Sequence, residues 1–297
     1  MLEIANLEVV YNEVILVLRG LSIEVPDGQI VALLGGNGAG KTTTTRAITG
    51  LLDIQDGKIT KGSVTFNGQE IHDNEASSIV RGGISQVYRP QEGDIRWKGE
   101  SIMGQRPDAV AALGVARTFQ NIELFPHMTV IENLLLGRHI RMERSWLAGA
   151  LWFGPAKKEE MEHRLAVENI IDFLEIEQWR KHPVALLPYG FQKRVELGRA
   201  LAMDPELLLL DEPVAGMNLE ETEDMARFIM DIRQELGIAM ILVEHDMGLV
   251  MDIADRLMVL DFGQKISEGT PEVVQKDPAV IAAYLGDEEG LAAATSD

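Results

Sequence analysis

The chain has 297 residues, of which 46% are hydrophobic and 25% charged, a composition typical of a folded globular protein rather than a disordered one. Its formal net charge of −20, from 27 basic and 47 acidic residues, would repel a phosphate backbone and argues against nucleic acid as a partner. The absence of cysteine excludes a disulfide scaffold and a thiolate zinc site. It also fits a reducing compartment, so we expect a cytoplasmic location.

The length predicts one main domain with an inserted lobe. No run of residues reaches the roughly 18 apolar residues that a membrane span requires. The N-terminal residues Met1–Ile4 do not form a basic region followed by an apolar stretch. We therefore expect any membrane association to come through a partner.

Short β-rich runs open the chain. Leu7–Val10 and Leu21–Val25 are predicted to be antiparallel strands, and Ile30–Leu34 a buried strand. From Lys41 to Leu52 the pattern is helical, and a loop follows at Asp53–Gly57.

The eight residues Gly35 to Thr42 match the phosphate-loop pattern, between a strand and a helix as that motif requires. The glycines let backbone N–H groups turn toward the β- and γ-phosphates, and Lys41 supplies a positive charge. The hydroxyl of Thr42 can bind Mg²⁺. A glycine-rich turn without nucleotide is the alternative, but the surrounding elements favour nucleotide binding. The candidate ATP-binding residues here are Gly35, Asn37, Gly38, Ala39, Gly40, Lys41, Thr42 and Thr43.

Between Thr60 and Gln120 the sequence repeats with a constant offset of 31 residues. We interpret this as a doubled hairpin, at about 60–88 and 91–119, that arose by duplication or by a chimeric join. Coincidence between two glycine-punctuated hairpins is the alternative. The matched positions are Gly62, Phe66, Gly68, Ile71, Gly83 and Ile84 in the first copy, and Gly93, Trp97, Gly99, Ile102, Gly114 and Val115 in the second.

Helical spacing of apolar residues then predicts a helical lobe. Its segments are Val130–Leu136, Glu159–Leu174 and Gln192–Met203. The apolar stretch Trp146–Pro155 either contacts a membrane partner or packs as a helical hairpin. The acidic tail after Gly286 is expected to be frayed and solvated.

Strands and a helix alternate after the lobe, which predicts a largely parallel sheet. They are strand Leu207–Leu210, helix Glu220–Leu236, strand Ala239–Val243 and strand Leu257–Asp261. The first of these strands ends in Asp211 and Glu212, and buried carboxylates require a cation or a proton. Asp211 suits Mg²⁺, and Glu212 would orient or deprotonate a water that attacks the γ-phosphate. Alone, the pair would be read as the start of a loop.

With these motifs the chain resembles the nucleotide-binding domains of ABC transporters, from Leu2 to about Leu285. The resemblance implies an α/β fold, a P-loop NTPase of ABC type with a mainly parallel sheet core, an N-terminal antiparallel β subdomain and an inserted helical subdomain. We expect the ATP-binding core with the β subdomain at 1–120, the helical subdomain at 121–203, the second half of the catalytic core at 204–285 and the acidic tail at 286–297.

The resemblance also assigns roles to three separate residues. Tyr11 stands where the family stacks an aromatic ring on adenine, although an ordinary packed tyrosine is the alternative. Gln120 resembles the glutamine that meets Mg²⁺ and senses the transmembrane partner. His245 resembles the switch histidine that contacts the γ-phosphate and stabilises charge in the transition state.

The segment Leu187–Gln192 resembles the family signature, which presents backbone N–H groups to the γ-phosphate bound in the other subunit. The residues expected at this cross-subunit site are Pro188, Tyr189, Gly190, Phe191 and Gln192. Pro188 stands where serine is usual, and Phe191 where glutamine is usual. Asn218 lies where the family places a residue, commonly aspartate, that touches the opposite subunit's site.

The resemblance therefore implies an ATPase that uses ATP and Mg²⁺ and closes head to tail with a second ATP-binding subunit, identical or paralogous. The pair would drive a permease at the inner face of the plasma membrane. Within the family, the signature variant and the ending Gly269–Val274 resemble the subunits of branched-chain amino-acid importers. The N-terminal third resembles one of their two paralogues and the remainder the other. A non-transport ABC ATPase and a nucleotide-binding interaction protein with little turnover are the alternatives.

Overall fold

The computed structural model describes residues 2–52, 57–61, 64–66, 69–72, 94–142 and 155–283. A chimeric join between the two copies of the repeat would fall near Arg89–Gln91, and these residues lie outside the described ranges. Nearly all of the stretch Trp146–Pro155 and the acidic tail lie outside them as well. The chain divides into two compact units, one of residues 1–110 with 254–297 and one of residues 111–253. Among the helices described, none is long and apolar enough to cross a bilayer.

Antiparallel strands open the first unit. β1 (Leu2–Tyr11) pairs along its length with β2 (Ile15–Val25). On its other edge, the end of β1 pairs with β4 (Gly57–Lys61) and its beginning with β7 (Asp94–Trp97). The strands are longer than predicted because polar residues such as Glu3 and Glu8, which interrupt the apolar pattern, occupy the less buried face of β1.

Both copies of the repeated segment form hairpins. β5 (Val64–Phe66) and β6 (Gln69–His72) pair with each other, and β7 pairs with β8 (Glu100–Ser101). In the 31-residue repeat, β5 corresponds in sequence to the last three residues of β7. The second hairpin joins the sheet of β1, while the first forms a separate two-stranded sheet. Since β7 and β4 already occupy that edge of β1, little of it is left for the first hairpin.

A second group of strands in the first unit is built on β3 (Ile30–Leu34), whose five residues are buried as predicted. β3 runs parallel to β12 (Arg256–Asp261), which pairs antiparallel with β13 (Gln264–Gly269). Helix α1 (Lys41–Ile48) begins where the sequence predicts but ends earlier. Gly50, with φ of 70°, has the left-handed backbone that ends many helices. Two short helices complete this set, α2 (Pro107–Ala112) and α8 (Pro271–Val274).

The second unit has a parallel sheet at its core. β10 (Leu207–Asp211) lies between β9 (Val115–Arg117) and β11 (Ala239–Val243), and pairs in parallel with both. Every residue of β10 and β11 is buried. Such continuous apolar strands are typical of parallel sheets that are covered on both faces. The predicted fold class is confirmed, with parallel strands and an antiparallel β subdomain.

The helices of this unit pack closely where glycine permits it. They are α3 (Val130–Arg138), α4 (Pro155–Phe173), α5 (Tyr189–Leu201), α6 (Leu219–Leu236) and α7 (Met247–Ile253). A Cβ on Gly137 of α3 would lie 2.4 Å from the carbonyl oxygen of Arg199 in α5. A Cβ on Gly198 would lie 3.0 Å from Leu174. These two glycines therefore set the spacing of α3, α4 and α5.

Candidate functional site

The phosphate loop follows β3 and depends on glycine at specific positions. Gly35 has φ of 149°, and a Cβ there would lie 2.3 Å from the carbonyl oxygen of Leu260. Gly40 has φ of 105°, and its Cβ would lie 2.6 Å from Leu18 Cδ2. Gly38 also has positive φ but faces open space. At Gly35, therefore, both backbone angle and space require glycine, whereas at Gly40 the backbone angle is the reason.

Lys41, the first residue of α1, folds its side chain over this loop. Its Nζ donates to the carbonyl oxygens of Gly35 at 2.7 Å and Gly36 at 3.0 Å. Within the described part of the chain, the backbone N–H groups of Asn37 and Gly38 have no protein acceptor. An ammonium group, unpaired N–H donors and a helix N-terminus together favour a bound phosphate.

The threonines of α1 differ in how their hydroxyls are used. Those of Thr44, Thr45 and Thr49 donate to carbonyl oxygens of the same helix or its cap. For the Thr42 hydroxyl, no hydrogen-bond partner is found among the described residues. Thr43 Oγ1 accepts only the long contact from the Tyr11 hydroxyl, so Thr42, at the very start of the helix, is the threonine whose hydroxyl has no partner among the described residues.

Tyr11 ends β1 and reaches toward α1. Its hydroxyl donates to Thr43 Oγ1 at 3.5 Å, at the outer limit for a hydrogen bond. A Cβ on Gly57 would lie 2.8 Å from the Tyr11 ring, so the ring packs on the Gly57 backbone. Stacking on adenine remains a prediction for this ring.

In the second unit, β10 delivers Asp211 into a buried ion pair. Asp211 Oδ2 accepts a hydrogen bond from Arg117 at 2.6 Å, and the two side chains are only 3% and 7% exposed. The Asp211 N–H donates to Thr118 Oγ1. The sequence did not single out Arg117, because the motif read from this segment was its glutamine. Buried charges of this kind must be paired, and Arg117 supplies the pair.

Glu212 and Gln120, predicted from separate motifs, meet here. Gln120 Nε2 donates to Glu212 Oε2 at 2.9 Å. The Glu212 backbone has φ of 49°, a left-handed conformation that is uncommon for glutamate. Its N–H donates to Val243 O at 2.8 Å, which anchors that conformation to β11. The glutamate therefore has a fixed backbone and a defined side-chain partner.

Helix α5 holds the segment that carries Gln120. Lys193 Nζ donates to Gln120 O at 3.0 Å, and Glu196 Oε1 accepts from the N–H of Phe119 at 3.3 Å. Arg199 donates to the carbonyl oxygen of Glu123. Burial raises the pKa of Glu196, although Lys193 and the N–H donors act in the opposite direction. The sequence did not indicate these roles, because charged residues on a helix usually form its solvated face.

The signature segment lies at the N-terminus of α5. Pro188 is the N-cap and provides no side-chain hydrogen bond, while Gln192 Nε2 donates back to Leu187 O at 2.8 Å. Tyr189 donates from its hydroxyl to Ala215 O at 3.1 Å. A Cβ on Gly190 would lie 2.5 Å from Glu221 Oε1, so a larger residue here would displace the Glu221 side chain from the capping box of α6.

Phe191 and Asn218 make contacts within their own unit. The Phe191 ring lies 5.5 Å from the Trp179 ring, and the Arg194 guanidinium lies 4.9 Å from the Phe191 ring. Phe191 can therefore offer a partner only its backbone or a ring edge. Asn218 Oδ1 caps α6 by accepting from Glu221 N at 3.0 Å, within a capping box. The predicted roles of both residues toward a second subunit remain predictions.

His245 follows β11 and is exposed, whereas its neighbour Glu244 is buried. The His245 side chain is 69% exposed and that of Glu244 is 0% exposed. Glu244 Oε1 accepts from Val214 N at 3.2 Å, and Oε2 from His245 N at 3.0 Å. Burial raises the pKa of Glu244, despite these donors. We did not assign Glu244 a role from sequence; its position directly after a buried strand was the available signal.

Two family models match the chain. The ABC transporter model matches residues 18–87 and 78–215, and the two matches overlap within the repeated segment. A model described as branched-chain amino acid ATP-binding cassette transporter matches residues 264–290.

Curated relatives and solved structures extend these matches. The high-affinity branched-chain amino acid transport ATP-binding protein BraF of Pseudomonas aeruginosa is 33% identical, over 92% of this chain and 93% of its own length. The sulfate/thiosulfate import ATP-binding protein CysA 2 of Agrobacterium fabrum is 29% identical, over 91% of this chain and 64% of its own. The ADP conformation of MJ1267, an ATP-binding cassette of an ABC transporter, has a TM-score of 0.73 and 29% identity, and covers 96% of this chain and 98% of its own.

Proposed function

The chain belongs to the ABC transporter family and is an ATPase of that type, and from this premise we propose that it powers import of branched-chain or related amino acids through a membrane permease. The observation that supports ATP hydrolysis, rather than nucleotide binding alone, is the hydrogen bond between Gln120 and Glu212 at the end of β10. A simple nucleotide switch does not need a carboxylate held in this way.

In the proposed reaction, the N–H groups of Gly35 to Thr42 and the ammonium of Lys41 bind the phosphates. Glu212 accepts a proton from water as the water oxygen bonds to the γ-phosphorus. The bond from that phosphorus to the bridging oxygen breaks, and ADP and phosphate leave. His245, exposed beside a buried carboxylate, stabilises charge on the phosphoryl oxygens.

Each unit holds residues of the kind that bind Mg²⁺. In the first unit, the Thr42 hydroxyl has no partner among the described residues. In the second unit, Gln120 uses its amide nitrogen on Glu212, which leaves the amide oxygen for a cation, and Asp211 carries a carboxylate that is paired with Arg117. Hydroxyl, amide and carboxylate oxygens are ligands that Mg²⁺ prefers. A bound Mg²⁺ would neutralise phosphate charge as it develops.

A second ATP-binding subunit completes the proposal. The chain has one phosphate loop and one signature segment, and in the proposed head-to-tail pair each nucleotide is held by one subunit's loop and the other's signature. At the start of α5 no side chain caps the backbone N–H groups, which supports their use on a partner's phosphate. The partner is a second copy or a paralogue.

The solute and the location rest on similarity. BraF serves branched-chain amino acids by its name, and the match at residues 264–290 is to a model of that class. The permease would hold the subunit at the inner face of the plasma membrane. Uptake of labelled leucine by vesicles that contain the subunit and its permease tests this choice. Uptake of sulfate instead of leucine would exclude it.

Glu212→Gln tests the ATPase assignment. The variant is expected to bind ATP as the native chain does, to lose nearly all turnover and to accumulate ATP-bound dimers, because the amide cannot accept the proton. Glu235→Gln, on an exposed position of α6, is the matched control. Near-native hydrolysis by Glu212→Gln would exclude the assigned role. Absence of turnover from the native chain, with and without permease, would favour a nucleotide-binding interaction protein.

A further inference from the structure

Glu244 is a fully buried carboxylate that directly follows β11 and begins the loop that continues with His245. Its Oε1 reaches the loop from Glu212 to Val214 after β10 and accepts from Val214 N at 3.2 Å. Its Oε2 stays within its own loop and accepts from the N–H of the next residue, His245, at 3.0 Å.

The chain between Glu212 and Val214 makes this contact specific. Pro213 has no N–H, so Val214 is the first residue after Glu212 that can donate to an acceptor. The carbonyl of Glu212 accepts from Ala215 N at 3.2 Å and closes a turn around the proline. The hydrogen bond to Val214 therefore acts on a short, stiff segment whose other end is the catalytic glutamate.

A buried carboxylate with no role beyond packing would not need a hydrogen bond to each of its oxygens. Burial of a carboxylate is costly unless hydrogen bonds compensate, and an apolar side chain of similar size would avoid that cost. Burial raises the pKa of Glu244, although the N–H donors and His245 act in the opposite direction. A buried carboxylate that joins its own loop to the loop after β10 has a use beyond packing.

We propose that Glu244 is a positioning residue for ATP hydrolysis, which fixes the Glu212 loop and the His245 loop relative to each other by accepting a hydrogen bond from each. It acts through Val214 and His245 by binding the N–H group of each, and its Oε2 also lies 3.8 Å from His245 Nδ1. The inference rests on the proposed roles of Glu212 and His245.

The variant Glu244→Gln removes one of the two acceptors and keeps the shape of the side chain. The amide nitrogen must then face one of the two N–H groups. Loss of a charge-assisted hydrogen bond should raise amide exchange at Val214 or His245 by about tenfold or more. We expect kcat to fall by at least about tenfold, while the Kd for ATP stays within about twofold. Glu244→Asp retains both acceptors on a shorter stem and should recover part of kcat.

Hydrogen exchange and steady-state kinetics on the full chain separate the outcomes, with Glu235→Gln as the control expected to change neither. Faster exchange with unchanged kcat would overturn the positioning role. Reduced kcat without faster exchange at either residue would overturn the stated mechanism. Exchange is measured without turnover, so failure of the Glu212 assignment, tested by Glu212→Gln, is distinguishable from failure at Glu244.

Discussion

The side-chain amide of Gln120 donates to the carboxylate of Glu212 over 2.9 Å, although 92 residues separate them in sequence. The same glutamine is held from behind by Lys193, which donates to its carbonyl oxygen. Through these two contacts, Gln120 links helix α5 to the side chain of Glu212. A movement of α5 would therefore change the environment of the proposed catalytic base.

Gln120→Ala removes the partner of Glu212 and one proposed oxygen ligand. We expect kcat to fall by roughly 10- to 150-fold, since a hydrogen bond to a charged group contributes roughly 1.5–3 kcal/mol. ATP affinity measured without Mg²⁺ should stay within about twofold, because the phosphate loop is intact. Gln234→Ala, on an exposed position of α6, is the control. A native kcat in Gln120→Ala would show that the hydrogen bond has no catalytic part.

Gly35→Ala and Gly38→Ala separate backbone strain from steric overlap. Gly38 has φ of 80° and open space, so alanine there should cost about 1–2 kcal/mol of unfolding free energy. Gly35→Ala would also place its Cβ 2.3 Å from the Leu260 carbonyl oxygen, which adds roughly 1–3 kcal/mol. Urea denaturation without nucleotide measures both values. Equal destabilisation of the two variants would contradict the overlap.

Lys193→Met breaks a buried charge pair, because the side chains of Lys193 and Glu196 are each 2% exposed and lie 3.7 Å apart. Loss of one partner should destabilise the fold by about 3–5 kcal/mol at pH 7. The pKa of Glu196 is already raised by burial, and loss of Lys193 raises it further. The folded state then binds the proton more tightly than the unfolded state does.

The sign of the pH dependence follows from that difference. The contribution of Glu196 to the stability of Lys193→Met should be fully present below the unfolded pKa of about 4.3 and should be lost as pH rises through the raised pKa. The loss of unfolding free energy relative to the native chain is thus expected to shrink as pH falls from about 7 toward about 5. Denaturation curves at several pH values measure it, with Lys158→Met, exposed on α4, as the control. A pH-independent difference would contradict this account of Glu196.

Local patterns were enough for several elements of the fold. Ile30–Leu34 and Ala239–Val243 are strands with the bounds that the sequence predicts, because each is a short apolar run between turn signals. Helix α1 is shorter than predicted, since Leu51 and Leu52 continue the helical apolar spacing although Gly50 has already ended the helix. Periodicity reports burial, whereas the end of a helix depends on backbone angles.

The sequence by itself was enough to predict a phosphate loop, a pair of carboxylates at the end of a buried strand and a switch histidine, because each is read from a contiguous motif. Only the tertiary structure decided which charged residues are buried and what they hold. Three hydrogen bonds join residues that are distant in sequence: Arg117 to Asp211 over 94 residues, Lys193 to Gln120 over 73, and Val214 to Glu244 over 30. The sequence does not tell a buried charged residue from a solvated one, because burial and hydrogen-bond partners depend on how distant segments pack together.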